Sequence, residues 1–431
     1  MNHPDDLLRQ RRPMPWRQPL RRAARWTAAW PDLLTDVLSF AGALACAALA
    51  AVVLAVLGGC GGGVGTEGTG SFASGPITGY GSIIVNGIHF DESAASVQDD
   101  DAQALDRSAL ALGMVVQVTG STLATDGSGR STATASQIRA VRALLGQVSA
   151  RDLAAGTLTV LDQTVMIQAD TVIDTALGGS LAGTVPGSVV EVYGSFDATL
   201  NAWRASRVAA APAGKAGRFS LRGTVGAVDA DAGTVVVNGR TYSTAGLGST
   251  AALQVGALLK LDLASAPDNQ GRWVCSGDSD GQPSLPGDRD NAQARGLITR
   301  LASASRWVVD GTPVDVSGAK VQGTPALGAR AEVNGVLRGG VLVASSVKVS
   351  SLGGDGGDAR FEIEGTPSAL DTLRQRFVVR GTTISYARSD VVYQNGASPA
   401  ALVGYTGKLK VAGVLSSDRS VVEATLIRFE P

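Results

Sequence analysis

The chain has 431 residues, 55 of them glycine, with 17% charged and 5% aromatic side chains and a net charge of −1. Glycine at this level beside abundant Val, Thr, Ser and Ala favours many short strands and tight turns over helices. A near-neutral chain has no basic excess with which to neutralise phosphates, so no nucleic-acid partner is expected.

The first segment, 1–59, carries Arg9, Arg11, Arg12, Arg17, Arg21, Arg22 and Arg25, then an apolar run from Leu38 to Leu57, then Gly58-Gly59-Cys60. A basic region, an apolar core and small residues before a cut define a secretory signal. Leu57-Gly58-Gly59-Cys60 resembles the bacterial lipobox, in which the cysteine becomes the lipidated first residue. That resemblance implies lipidation at Cys60, with Gly61 after it implying outer-membrane sorting. The alternative is an uncleaved inner-membrane signal anchor with an exported C-terminal part, because twenty apolar residues reach roughly 30 Å. Without 1–59 the 37 basic and 38 acidic side chains become 30 and 34, a net charge of −4. A Gly/Thr/Ser-rich stretch over 60–74 reads as a flexible tether.

A hairpin phrase then recurs. Ser82-Ile-Ile-Val-Asn-Gly-Ile-His-Phe90 reads as strand, two-residue turn, strand, because Asn-Gly suits a type I′ turn. It returns as Thr234–Tyr242, more weakly as Arg306–Val314 and Gln375–Ile384, and in decayed form as Thr157–Val165. The residue before each turn is read as Val85, Leu161, Val237, Val309 and Val379, at intervals of 76, 76, 72 and 70 residues. Each unit opens on a glycine (Gly75, Gly146, Gly223, Gly296, Gly365). Most units later carry an alternating strand between two glycines, as in Gly113–Gly120 and Gly187–Gly194. About 70 residues can close a small barrel, which removes sheet edges. The expected architecture is all-β, a tandem array of about five small β-barrel modules over 75–142, 144–210, 219–275, 292–350 and 360–430. A polar linker is expected at 276–293, and a Gly/Asp linker at 351–358. Short helical turns are expected at 102–111 and 398–403.

Gly75–Phe90 followed by Leu112–Gly120 resembles the bacterial "domain of unknown function 5666" repeat, most closely in module one and next in module three. The resemblance implies exported, often lipidated proteins with several OB-like barrel modules. It implies no activity and no functional residues.

Little in the chain promises catalysis. His89 is the one histidine after the signal segment, so a multi-histidine metal site cannot be assembled, and no nucleophile has an evident histidine base. His89 alternates with Ile88 and Phe90 and is expected on the solvent face. Asp99-Asp100-Asp101, Asp278-Ser-Asp280 and Asp288-Arg-Asp290 read as solvated loop and linker charge, and Asp278–Arg289 departs from a calcium loop at Gln282 and Arg289. Cys275 reads as a small buried hydrophobe. Trp203, Trp273 and Trp307 lie on strands near turns, where they either stack on a ligand ring or fill a core. The expected protein is a non-enzymatic cell-envelope lipoprotein, with no cofactor and no metal, acting as a scaffold or binding array for an envelope partner. The alternative is a carbohydrate-binding envelope protein that exposes those tryptophans on a barrel face.

Overall fold

The structure is a computed structural model that describes residues 69–215, 217–350, 360–396 and 398–430. The signal segment, Cys60 and the 351–358 linker lie outside the described residues. In module one the strands are β1 (Ser71–Tyr80), β2 (Ile83–Val85), β3 (Ile88–Asp91), β4 (Ser96–Gln98), β5 (Val115–Gly120), β6 (Ala124–Thr125) and β7 (Ser131–Ala140). Module two has β8 (Leu144–Asp152), β9 (Thr157–Val160), β10 (Gln163–Ile173), β11 (Val189–Asp197) and β12 (Ala202–Ala210). Module three has β13 (Phe219–Asp229), β14 (Thr234–Val237), β15 (Arg240–Ser243), β16 (Leu258–Leu263) and β17 (Cys275–Asp280). Module four has β18 (Arg289–Leu301), β19 (Arg306–Val309), β20 (Thr312–Asp315), β21 (Lys320–Gln322), β22 (Arg330–Arg338) and β23 (Val341–Ser350). Module five has β24 (Phe361–Gly365), β25 (Ser368–Asp371), β26 (Arg376–Val379), β27 (Thr382–Ser385), β28 (Val392–Gln394), β29 (Leu409–Leu415) and β30 (Val422–Phe429).

One wiring recurs. In module one β1 pairs antiparallel with β2, β2 with β3, β3 runs parallel to β7, β7 pairs antiparallel with β5, and β5 returns to β1. The sheet closes on itself in the order of an OB-like Greek-key barrel. Module two repeats it through β8, β9, β10, β12 and β11, and modules four and five do likewise. In module three the closing contact is the single parallel bridge Ser243–Val274. The 3-10 turns Arg107–Ala109 and Pro399–Leu402 fall within the expected helical turns.

The repeated glycines have a steric cause. All five hairpins close through two residues with positive φ: Asn86-Gly87, Leu161-Asp162, Asn238-Gly239, Asp310-Gly311 and Arg380-Gly381. The first turn residue folds back over the opening strand. A Cβ on Gly223 would stand 2.4 Å from Val237 and 2.8 Å from Asn238, and one on Gly75 would stand 2.5 Å from Asn86 Oδ1. The glycine ending the alternating strand sits at a β-bulge, where a Cβ on Gly194 would stand 2.2 Å from the Arg204 carbonyl oxygen.

The array is not a string of beads. β1 runs parallel to β18 through Ser71–Ser74 and to β24 through Gly79–Tyr80, so module one adjoins modules four and five. β13 pairs with β8, joining modules two and three. One apolar core runs through modules one and five, a second through two and three, and a third fills module four and takes in Phe72 of module one.

Several boundaries differ from expectation. The tether, expected through residue 74, ends by Ser71, because Phe72 is buried and β1 is hydrogen-bonded on two sides there. The 276–293 linker shrinks to 281–288: β17 runs through Asp280 on β16, and β18 begins at Arg289. β17 reads as linker because its sequence, Cys275-Ser-Gly-Asp-Ser-Asp280, is polar, and backbone pairing rather than side-chain burial holds it. In module two the turn is Leu161-Asp162, so the residue before it is Val160, one position earlier than expected. The hairpin register pairs Val85 with Ile88 and Val237 with Arg240.

Candidate functional site

Where modules one, two and three meet, the acidic run of module one gathers cations from its neighbours. Asp99 and Asp100 are 3% and 7% exposed, which overturns the expectation of solvated loop charge. Arg142, at the joint after β7, holds Asp100 at 2.6 Å, Asp101 at 2.7 Å and Glu191 of β11 at 2.8 Å. Lys260 of β16 reaches Asp100 at 3.1 Å and also pairs with Asp101, while Lys215 pairs with Asp99. Burial alone would raise the Asp101 carboxyl. The Lys260 hydrogen bond and the Lys260 and Arg142 charges outweigh it and hold the pKa below the usual value. Desolvation likewise opposes the Arg142 charge, but Asp100, Glu191 and Asp101 raise its pKa. The three aspartates lie close enough to share a metal ion. Their oxygens are instead taken by arginine and lysine, which makes the cluster an ion-paired clasp. Removing one partner of such a pair leaves an uncompensated buried charge.

Beside the clasp, modules one to four enclose a cavity of about 310 Å³. Its apolar wall includes Phe196, Leu258, Pro283 and Val308, and its polar lining includes Gln117, Trp203, Arg222, Arg295 and Asp310. Trp203 Nε1, Gln117 Oε1 and Arg222 Nε are buried without a protein partner. A buried polar atom left unpaired costs about 1–3 kcal/mol. Asp310 occupies the turn position that holds Asn86 and Asn238 in modules one and three. In module three Asn238 Oδ1 accepts from Thr224 N–H at 3.0 Å and its Nδ2 donates to the Arg222 carbonyl at 3.3 Å. In module four Asp310 turns toward module two and accepts a hydrogen bond from Ser195 Oγ. Desolvation pushes its carboxyl up to about 7, against the Ser195 and Leu297 hydrogen bonds and the Arg330 charge.

The structure disperses the residues singled out by sequence. Trp203, Trp273 and Trp307 are 4%, 8% and 4% exposed, so none forms an exposed stacking face and the carbohydrate reading built on them loses its support. Trp203 packs edge-on against Phe196 at 5.4 Å, and Trp273 against Phe219 at 5.6 Å. His89 is half-buried, with Nδ1 3.3 Å from Ser82 Oγ, and desolvation lowers its pKa. Cys275 is fully buried, and desolvation pushes its thiol up to about 12. Asp278 and Asp280 lie on β17 rather than in a linker. Cys60 falls outside the described residues. Sequence reasoning missed Arg142, Arg222 and Asp310. Only Asp310 carried a signal, an acid at a turn position where two sister modules have asparagine.

No curated protein matches the chain. Residues 74–138, 146–209 and 295–348 match the Domain of unknown function (DUF5666). These are modules one, two and four; module three, expected to be the next most similar after module one, lies outside the matched segments. Modules three and five carry the same strand order outside the matched segments. The decayed hairpin phrase of module two conceals a fully closed barrel, while module three closes through one bridge. With three matched copies spread along its length, the chain is a protein of repeated DUF5666 domains.

Proposed function

We propose that the chain is an exported, lipid-anchored, non-enzymatic envelope protein whose five barrels act together as one binding body. The observation that carries the binding half of this reading is the pairing of non-consecutive modules, β1 with both β18 and β24, together with the clasp that ties modules one, two and three. A flexible array presents separate modules. Barrels hydrogen-bonded out of chain order instead present composite surfaces and a shared cavity. The anchoring half rests on the basic region, the apolar run and Leu57-Gly58-Gly59-Cys60. A lipidated Cys60 holds the body at the membrane through several acyl chains, since a single chain binds only marginally.

The test is Cys60→Ala in a bacterial host, followed by metabolic labelling with an alkyne fatty acid. The variant is expected to lose the label and accumulate as the unprocessed precursor in the inner membrane, whereas the parent is labelled and fractionates with the outer membrane. Normal labelling and maturation of the variant would overturn the anchor.

A further inference from the structure

We propose that the cavity enclosed by modules one to four is a binding site for a small organic anion with an apolar body. The Arg222 guanidinium would hold the anionic head. This deepens the binding-body reading and rests on it.

Two observations converge on the cavity. Its volume of about 310 Å³ falls at the lower end of small-molecule pockets, which pair apolar walls with a few convergent polar groups. The second observation is charge. Arg142, Arg222, Arg295 and Arg300 line the space, against the single carboxylate of Asp310. Arg142 is committed to Asp100, Asp101 and Glu191, and Arg295 lies 3.4 Å from Glu332. Arg222 bonds the Gly281 carbonyl and, among the described residues, makes no ion pair. A guanidinium without an ion-pair partner is a donor that a carboxylate accepts from. The walls of Phe196, Leu258, Pro283 and Val308 favour an apolar remainder over a hydrated inorganic ion. The four contributing modules make the site a property of the assembled body, absent from any one barrel.

The test is isothermal titration calorimetry on the full chain in detergent micelles. The probes are indole-3-acetate, 4-hydroxyphenylacetate and hexanoate, each beside its uncharged amide, with blank titrations into micelles. At least one acid is expected to bind saturably at one site, with its amide about tenfold weaker or worse. Arg222→Met is expected to weaken that acid at least tenfold, while Arg306→Met, on an exposed part of module four, leaves it unchanged. The acid–amide comparison needs no variant, so it stands if Arg222→Met fails to fold. Saturable binding by none of the three acids, equal binding of acid and amide, or an unaltered Arg222→Met titration would each overturn the site. The calorimetry reads purified protein whether or not Cys60 carries lipid, so its failure is distinct from failure of the anchor.

Discussion

Asp310→Asn is the sharpest perturbation of the inter-module contact. The Asp310 carboxyl rises from 3.8 to about 7, chiefly through desolvation between modules four and two. The native state therefore holds a proton that the unfolded chain has already released. Stability is fully present below about 4, where both states are protonated, and is lost as pH rises through about 7. Three pKa units correspond to about 4 kcal/mol as a ceiling, and the residue's partial exposure toward the cavity brings the expected loss to roughly 2–4 kcal/mol. Asparagine has no charge to desolvate, and Asn238 shows that the turn accepts it. Urea unfolding of both proteins at pH 4, 5, 6, 7 and 8 measures the effect. The variant is expected to match the parent near pH 4 and to exceed it by roughly 2–4 kcal/mol at pH 8. A stability difference that stays flat across this range would show that Asp310 is solvated, and with it that modules two and four do not meet as described.

Arg142→Met should destabilise the protein by about 3–5 kcal/mol, because it removes the nearer partner of buried Asp100 and the partner of Glu191 and leaves Lys260 alone against Asp100. An unfolding midpoint corresponding to less than about 1 kcal/mol would place the clasp in solvent. Gly223→Ala pushes a Cβ to within 2.4 Å of Val237 and should cost about 1–3 kcal/mol. Gly248→Ala, in open space, should stay within about 0.5 kcal/mol by thermal melting, and equal shifts for the two would refute the steric account of the opening glycine. Cys275 should resist maleimide labelling in the native protein at pH 8 and react in urea, since its thiol is buried and raised to about 12. Rapid native labelling would show that β17 is not docked on β16.

Much of each barrel was legible because its determinants are local. A two-residue turn demands positive φ at both positions, and Asn-Gly announces it at Asn86-Gly87 and Asn238-Gly239. The opening glycine recurs because the turn residue some ten to fifteen positions later lies on it, as Asn86 lies on Gly75. Where the turn chemistry decayed, at Leu161-Asp162, the register slipped by one, since periodicity alone does not mark a turn without its usual residues. β17 stayed hidden for a related reason: a polar strand that relies on backbone pairing has no apolar alternation to reveal it.

By itself, then, the sequence determined the all-β class, the repeat of about 70 residues, the hairpin turns and the glycines that let them close. All of these follow from steric and periodic rules acting within one module. Only the tertiary structure decided which barrels adjoin, because β1 pairs with strands more than 200 residues away and no local pattern distinguishes β18 or β24 as its partner. The fate of the charges was settled at the same level. Asp99-Asp100-Asp101 looks like solvated loop acid until Arg142, Lys215 and Lys260 arrive from other parts of the chain, the last of them 159 residues beyond Asp101. Burial of an ionisable group depends on the partners that surround it in space, and those partners exist only once the barrels have packed.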